Sequence, residues 1–294
     1  MKYKIEKNTV QETLIIPLYA RKVCSELYPN LYRDETAVRL IDEIDYDFSE
    51  AEKNSRGLMQ RFGSLEVAMR QNDLAFEVRD YLKGHPNAAV INLGCGLDGT
   101  GRSCDNGSCK IYNLDYPDVI AVRNELLPAG EREENIPCDL NDTAWFSQID
   151  ASGGAVFFAS GVFYYFLTEQ VKALMQAMAD AFPGGALVFD AANRTAVKMI
   201  AKTWLKSAKI KDVGAYFAVS DAKSELSPWD SRLQVASRGY TLDGTALTYL
   251  LTRNVTKMLA VLMVDFSCAL KLAIPIAVLS AMRESSGYHI SVKG

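Results

Sequence analysis

Short apolar runs alternate with longer stretches of helical period through the middle of this chain. Ala88 to Leu93, Gly154 to Ser160 and Ala186 to Asp190 are nearly continuous apolar segments of strand length, the pattern of strands buried on both faces of a parallel sheet. A second strand reads at Lys110 to Leu114, a third ends at Asp139, and weaker candidates occur at Arg232 to Ala236 and Tyr288 to Val292. Gln11 to Leu31 and Ala51 to Leu82 read as helical. In the latter, Val67, Leu74, Ala75, Val78 and Leu82 share one face, while Arg70 and Asp73 sit off it. The turn Gly84-His85-Pro86-Asn87 stops that helix. Pro117 and Asp118 open a helix that Pro128 closes, and Thr168 caps another that ends at Pro183-Gly184-Gly185. Strands alternating with helices predict an α/β fold with a mostly parallel sheet covered on both faces.

Composition narrows the class. The chain has 294 residues, 49% hydrophobic and 23% charged, which suits a globular protein with a large core, read as one domain with a cap. A formal charge of -4 with scattered Lys and Arg gives no basic footprint, so nucleic acid is not an expected partner. Met1 to Lys7 has no signal-like apolar stretch, which makes a cytoplasmic location the expectation. Lys257 to Met282 is largely apolar, but Asp265, Lys271 and Pro275 keep it below the roughly 18 to 20 residues of a membrane helix. Buried packing is the expectation there, with no membrane partner. The six cysteines form no regular framework, so a reduced chain is expected. Cys104 and Cys109 lack a second Cys/His pair at useful spacing, so no metal is expected.

The sharpest local signal is Leu93-Gly94-Cys95-Gly96-Leu97-Asp98-Gly99, directly after the first strand. Glycines there let the backbone turn tightly and approach a ligand at the carboxyl edge, where open α/β sheets bind. Asp115 stands 19 residues after Gly96, at the end of the second strand, where its carboxylate can accept from both ribose hydroxyls. Turn and acid together suggest a nucleoside-containing ligand. Gly94, Gly96 and Gly99 also satisfy the dinucleotide spacing, so a nicotinamide oxidoreductase stays open. That motif should open a helix for the pyrophosphate, yet Thr100 to Gly107 is polar and glycine-rich without apolar periodicity. A plain structural turn is the bland alternative, as is a helix cap near Pro117 for Asp115.

The chain resembles the leucine carboxyl methyltransferase family, including its tetracenomycin-type polyketide O-methyltransferase branch. The likeness runs through Glu12 to Arg21, Ile44 to Phe48, Val90 to Asp98, Tyr112 to Ile120, Gly161 to Phe166 and Phe182 to Gly185, roughly the first two thirds of the chain. It implies a Rossmann-like class I methyltransferase with S-adenosylmethionine as cofactor. Residues 1-84 would be a helical N-terminal lid segment and 85-294 the cofactor-binding core, with a cap insertion at 240-286. By resemblance Arg21 and Arg70 would hold the methionine carboxylate. Gly94 and Gly96 would line the methionyl part, Asp115 would bind the ribose, and Asp139 and Leu140 would face the adenine, with Cys95 and Tyr116 as further cofactor-binding residues. Surface charge for the arginines and a helix cap for Asp139 are the alternatives. Three departures stand out: Ser160 where a glutamate is common, Gly99-Thr100 for the usual Thr-Arg, and a poor match after Trp229. Ser160 would hydrogen-bond near the cofactor or simply end its strand. Tyr164 and Tyr165 are candidates for the acceptor pocket, with packing as the alternative.

The expected reaction is O-methylation of a small molecule or a carboxylate; a cofactor-binding protein without turnover is the second reading. Displacement at a sulfonium mainly requires alignment in a dry pocket, with no metal. A carboxylate acceptor, of solution pKa about 4, is already ionised at neutral pH, whereas a phenol, at about 10, benefits from a base.

Overall fold

The computed structural model of the chain describes residues 2–5, 10–30, 32–49, 51–52, 58–200 and 216–237. In chain order the elements are β1 (Tyr3–Lys4), α1 (Val10–Leu27), α2 (Glu35–Glu43), β2 (Ile44–Asp45), α3 (Leu58–Gly84), β3 (Ala89–Leu93), α4 (Thr100–Ser103) and β4 (Lys110–Asp115). They continue with α5 (Pro117–Leu126), β5 (Glu133–Pro137), β6 (Ala155–Ala159), α6 (Thr168–Ala181), β7 (Ala186–Phe189), α7 (Arg194–Ile200) and α8 (Ala222–Leu226).

Strands β3 to β7 form one sheet in the order β5-β4-β3-β6-β7, with every pairing parallel. All of β3 is buried, which is why Ala-Val-Ile-Asn-Leu carries no alternation. Helix α3 lays Ala75, Val78 and Leu82 over Val90, Ile111, Val156 and Phe158 on one face of the sheet. Residues one step along the strands point the other way, so Phe157 meets Trp145 and Phe182 instead. The chain runs outward through β4 and β5, then returns to place β6 on the far side of β3. Strand order therefore reverses between β3 and β6, the point at whose carboxyl edge open α/β sheets bind ligands.

The N-terminal helices build a second apolar cluster, against α5 and the turn after β3. Leu14, Ile15, Leu18 and Tyr19 of α1 and Leu40 and Ile41 of α2 cluster with Leu97, Val119, Val122 and Leu126. A short parallel pair, Tyr3 opposite Ile44 and Lys4 opposite Asp45, closes this end. The chain divides into two compact units, residues 1–191 with 199–217, and residues 192–198 with 218–294. In the second unit Asp221 caps α8 by accepting from the Ser224 N–H at 3.2 Å, and the Val219 N–H donates to the Ala192 carbonyl at 2.9 Å.

Several expectations are corrected. Helix α1 ends at Leu27 rather than Leu31, because Pro29 bars its preceding residue from helical backbone. The third strand stops at Pro137, before Asp139, where the pairing with β4 ends. Thr168 is the first residue of α6 rather than its cap: Leu167 has extended backbone, and its N–H donates to the Gln170 side chain at 2.8 Å. Arg232 to Ala236 forms no strand; it follows a turn in which Asp230 binds Arg232. Residues 51–52 are helical and α3 starts at Leu58, with residues 53–57 outside the described ones. The expected cap at 240-286 and the strand at Tyr288 to Val292 also lie outside the described residues.

Candidate active site

Because the five strands run the same way, the residues that follow them share one edge of the sheet. These are Gly94 to Gly96 after β3, Asp115 and Tyr116 at the end of β4, Asp139 and Leu140 beyond β5, Ser160 and Gly161 after β6, and Asp190 after β7. The turn after β3 needs its glycines. Gly94 and Gly96 have φ of 64° and 45°, and a Cβ on Gly94 would stand 2.6 Å from Val162 Cγ2. Leu14 of α1 covers Gly96 in the same way, at 3.1 Å from a notional Cβ.

Asp115 ties this turn to β4. Its Oδ2 accepts the Gly96 N–H at 2.8 Å and its Oδ1 the Tyr116 N–H at 2.8 Å. It does not cap α5, whose cap position is Tyr116 without a side-chain bond. Burial pushes the carboxyl above its ordinary pKa, against the two N–H bonds and the Arg123 guanidinium. A carboxylate offers about four lone-pair positions, so each oxygen keeps acceptor capacity for a vicinal diol. The residues present therefore fit a ribose-bearing cofactor.

A buried polar chain fixes the turn from the N-terminal side. Arg21 donates from Nε to Asp34 Oδ2 at 2.9 Å and from Nη2 to the Leu97 carbonyl at 2.8 Å. The Tyr32 hydroxyl bonds to both Asp34 and Gln71, and Gln71 in turn donates to Asp98. Asp98 Oδ1 also accepts from the Thr100 N–H and hydroxyl, at 2.8 and 2.7 Å, which starts the single-turn helix α4. Burial pushes Tyr32 far above the usual phenol range, so it acts as a neutral hydroxyl. Arg21 thus meets the turn through a backbone carbonyl alone, its ion pair being with Asp34 at the start of α2.

Arg70 reaches the edge from α3. Its Nη1 pairs with Asp190 Oδ2 at 3.1 Å, and a Cβ on Gly161 would lie 3.0 Å from that nitrogen. Asp190 also accepts the Gly161 N–H at 2.6 Å and the Tyr164 hydroxyl at 2.9 Å. Tyr164 is thereby buried with its hydroxyl committed, whereas Tyr165 exposes its ring. Asp139 is exposed and its Oδ1 accepts from the Asn141 backbone and side chain, both at 2.9 Å, while Leu140 is buried. The cap of the following helical turn is Asp142, not Asp139. Cys95 is buried under the turn, with its thiol pushed far up by burial.

Sequence reasoning missed Asp190, Arg123 and the Tyr32–Gln71–Asp98 chain. Asp190 carried a usable signal, being an acid at the end of a buried strand just as Asp115 is. Among the described residues no group of three or more metal-ligating side chains gathers, and no helix is long and apolar enough to cross a membrane.

A parallel sheet of this order, with a glycine turn after its central strand and an acid closing the neighbouring one, has the Rossmann-like form that class I methyltransferases share with dinucleotide-binding folds. Residues 17–179 match the model of the leucine carboxyl methyltransferase family, and the chain belongs to that family. It is similar to the tetracenomycin polyketide synthesis O-methyltransferase TcmP of Streptomyces glaucescens, 28% identical over 62% of this chain and 66% of that protein. It is also similar to the S-adenosyl-L-methionine-dependent methyltransferase dpfgK of Gibberella zeae, 25% identical over 82% of this chain and 85% of that protein. Among solved structures, human N-acetylserotonin methyltransferase is similar over 72% of this chain and 60% of its own, at 13% identity and a TM-score of 0.40.

Proposed function

We propose that this chain is an S-adenosylmethionine-dependent O-methyltransferase acting on a small molecule, through a hydroxyl or a carboxylate. The observation that carries this reading is the Asp115 carboxylate at the carboxyl end of β4, beside the glycine turn, already accepting the Gly96 N–H and retaining further acceptor capacity. The relatives' printed names, a polyketide O-methyltransferase and an S-adenosyl-L-methionine-dependent methyltransferase, favour the same class. When bound, S-adenosylmethionine supplies an electrophilic methyl group on a sulfonium.

In this reading Asp115 binds the ribose hydroxyls with Tyr116 beside it, and Asp139 with Leu140 borders the adenine. Gly94, Cys95 and Gly96 line the methionyl part, Arg70 faces its carboxylate and Arg21 acts through Leu97. Ser160 and Tyr165 border the reacting end, and Tyr164 acts through Asp190. The lone histidine among the described residues, His85, precedes β3 and so lies at the opposite edge of the sheet. An acceptor that is already ionised, a carboxylate above all, needs no base from it. Residues 1-84 serve as a lid, supported by the packing of Leu14 and Arg21 on the glycine turn. A cytoplasmic location without nucleic-acid partners completes the proposal.

The test is a thermal and calorimetric titration of the whole chain. S-adenosylhomocysteine should raise the melting temperature by mass action while NAD leaves it unchanged. A shift with NAD alone would overturn the cofactor, and binding without any methylated product across hydroxyl and carboxylate acceptors would leave a cofactor-binding protein.

A further inference from the structure

Arg123 lies inside α5 with 1% of its surface exposed, on the stripe that otherwise buries Val119, Val122 and Leu126. Among the described residues its hydrogen bonds go to neutral oxygens: from Nη1 to the Gly96 carbonyl at 2.9 Å and the Asp98 carbonyl at 2.8 Å, and from Nε to Asn135 Oδ1 at 3.2 Å. Asn135 is itself fixed, accepting from Asn113 Nδ2 at 3.1 Å and donating to Asn124 Oδ1 at 2.7 Å. On the other side of the turn, Arg21 takes the intervening Leu97 carbonyl at 2.8 Å. Three successive carbonyls thus end on two buried guanidiniums that arrive from different helices.

A buried cation is costly, and an apolar side chain of similar volume would fill this stripe with less desolvation. What the guanidinium adds is geometry. The Gly96 residue is pinned at both polar ends, its N–H on Asp115 and its carbonyl on Arg123, at a φ that only glycine adopts readily. Neither neighbouring peptide can rotate without stripping a charge-assisted bond from a buried group.

We infer that Arg123 is a positioning residue for the cofactor turn, holding the Gly96 and Asp98 carbonyls so that the turn stands formed before any ligand binds. It touches no reacting atom. Its effect runs through the fraction of molecules whose turn is ready, and apparent affinity falls in proportion to that fraction.

This inference rests on the proposed cofactor site, and its test separates the two. Arg123→Met and Arg123→Lys are compared with the wild-type chain by calorimetric titration with S-adenosylhomocysteine and by amide hydrogen exchange without ligand. Arg123→Met should bind about tenfold or more weakly. Its exchange should quicken over residues 94–100 while β6 and α6 stay protected, and Arg123→Lys should recover part of both. A folded Arg123→Met with wild-type affinity, or with exchange raised evenly across the sheet, overturns the positioning role. Should Arg123→Met fail to fold, the same two readings on Arg123→Lys decide: wild-type affinity and exchange overturn the role, and weaker binding with local exchange supports it. A wild-type chain that does not bind S-adenosylhomocysteine overturns the cofactor site itself.

Discussion

Asp115 is already at work before a ligand arrives, since it holds the Gly96 and Tyr116 N–H groups. Asp115→Ala removes both the diol acceptor and the tether of the turn, so S-adenosylhomocysteine should bind about ten- to a hundredfold more weakly by calorimetry. Asp115→Asn keeps one acceptor oxygen and should fall between. Burial holds this carboxyl above its ordinary pKa. In the proposed site the ionised form accepts the diol, so affinity should fall as pH falls through the raised pKa of Asp115, while Asp115→Asn stays flat. For the free protein the sign is opposite: a folded pKa above the unfolded one means that ionised Asp115 costs stability as pH rises. Unchanged affinity in Asp115→Ala, with only a lowered melting temperature, would sink the ribose-binding role. The spacing to Gly96 made Asp115 legible in the sequence. Arg123 was not, because a charged residue on a helix otherwise reads as solvated, and only the fold reveals the carbonyls it meets.

At the scale of elements, the strands were the legible part: β3 and β6 are apolar runs buried throughout, whereas β7, equally apolar, is only half-buried because it stands last in the described sheet order. The chain after Gly99 is too polar for a crossover helix, and α4 is a single turn, Thr100–Ser103. What the pattern could not give was how that turn is secured. Arg102 reaches from it to Glu133 at the start of β5, at 2.7 Å from Nε and 2.5 Å from Nη2. Burial alone pushes Glu133 up, but the Arg102 bonds and the Gly130 N–H outweigh it and hold its carboxyl below the usual range. A depressed folded pKa gives stability that is present above about pH 4.3, the ordinary glutamate value, and lost as pH falls toward the folded one. Glu133→Gln should therefore lower stability at neutral pH by about 1 kcal/mol, reduced by the exposure of Arg102, and this difference should close in acid. An equal loss at both pH values by denaturant unfolding would remove the ion pair as its cause.

Over the whole molecule, residues from α1 to α3 and the glycine turn form one polar chain, Arg21–Asp34–Tyr32–Gln71–Asp98, lying beside the apolar cluster of Leu14, Leu18, Leu97 and Val119. The sequence suggested helices here but not this chain, whose members stand far apart along it and meet only when α1 and α3 close on the turn. Ligand binding to the turn should therefore be felt in α1. At one hundred times the dissociation constant, S-adenosylhomocysteine stabilises the folded state by about 2.7 kcal/mol. Only segments whose opening releases the ligand share that gain, because local openings that leave the site intact do not report it. Amide exchange with and without saturating ligand should thus show slowed exchange in residues 18–27 together with residues 94–100. Protection confined to 94–100 and 115–116, with α1 exchanging at its ligand-free rate, would show that the N-terminal helices are packing alone, and the lid role for residues 1-84 would have to be abandoned.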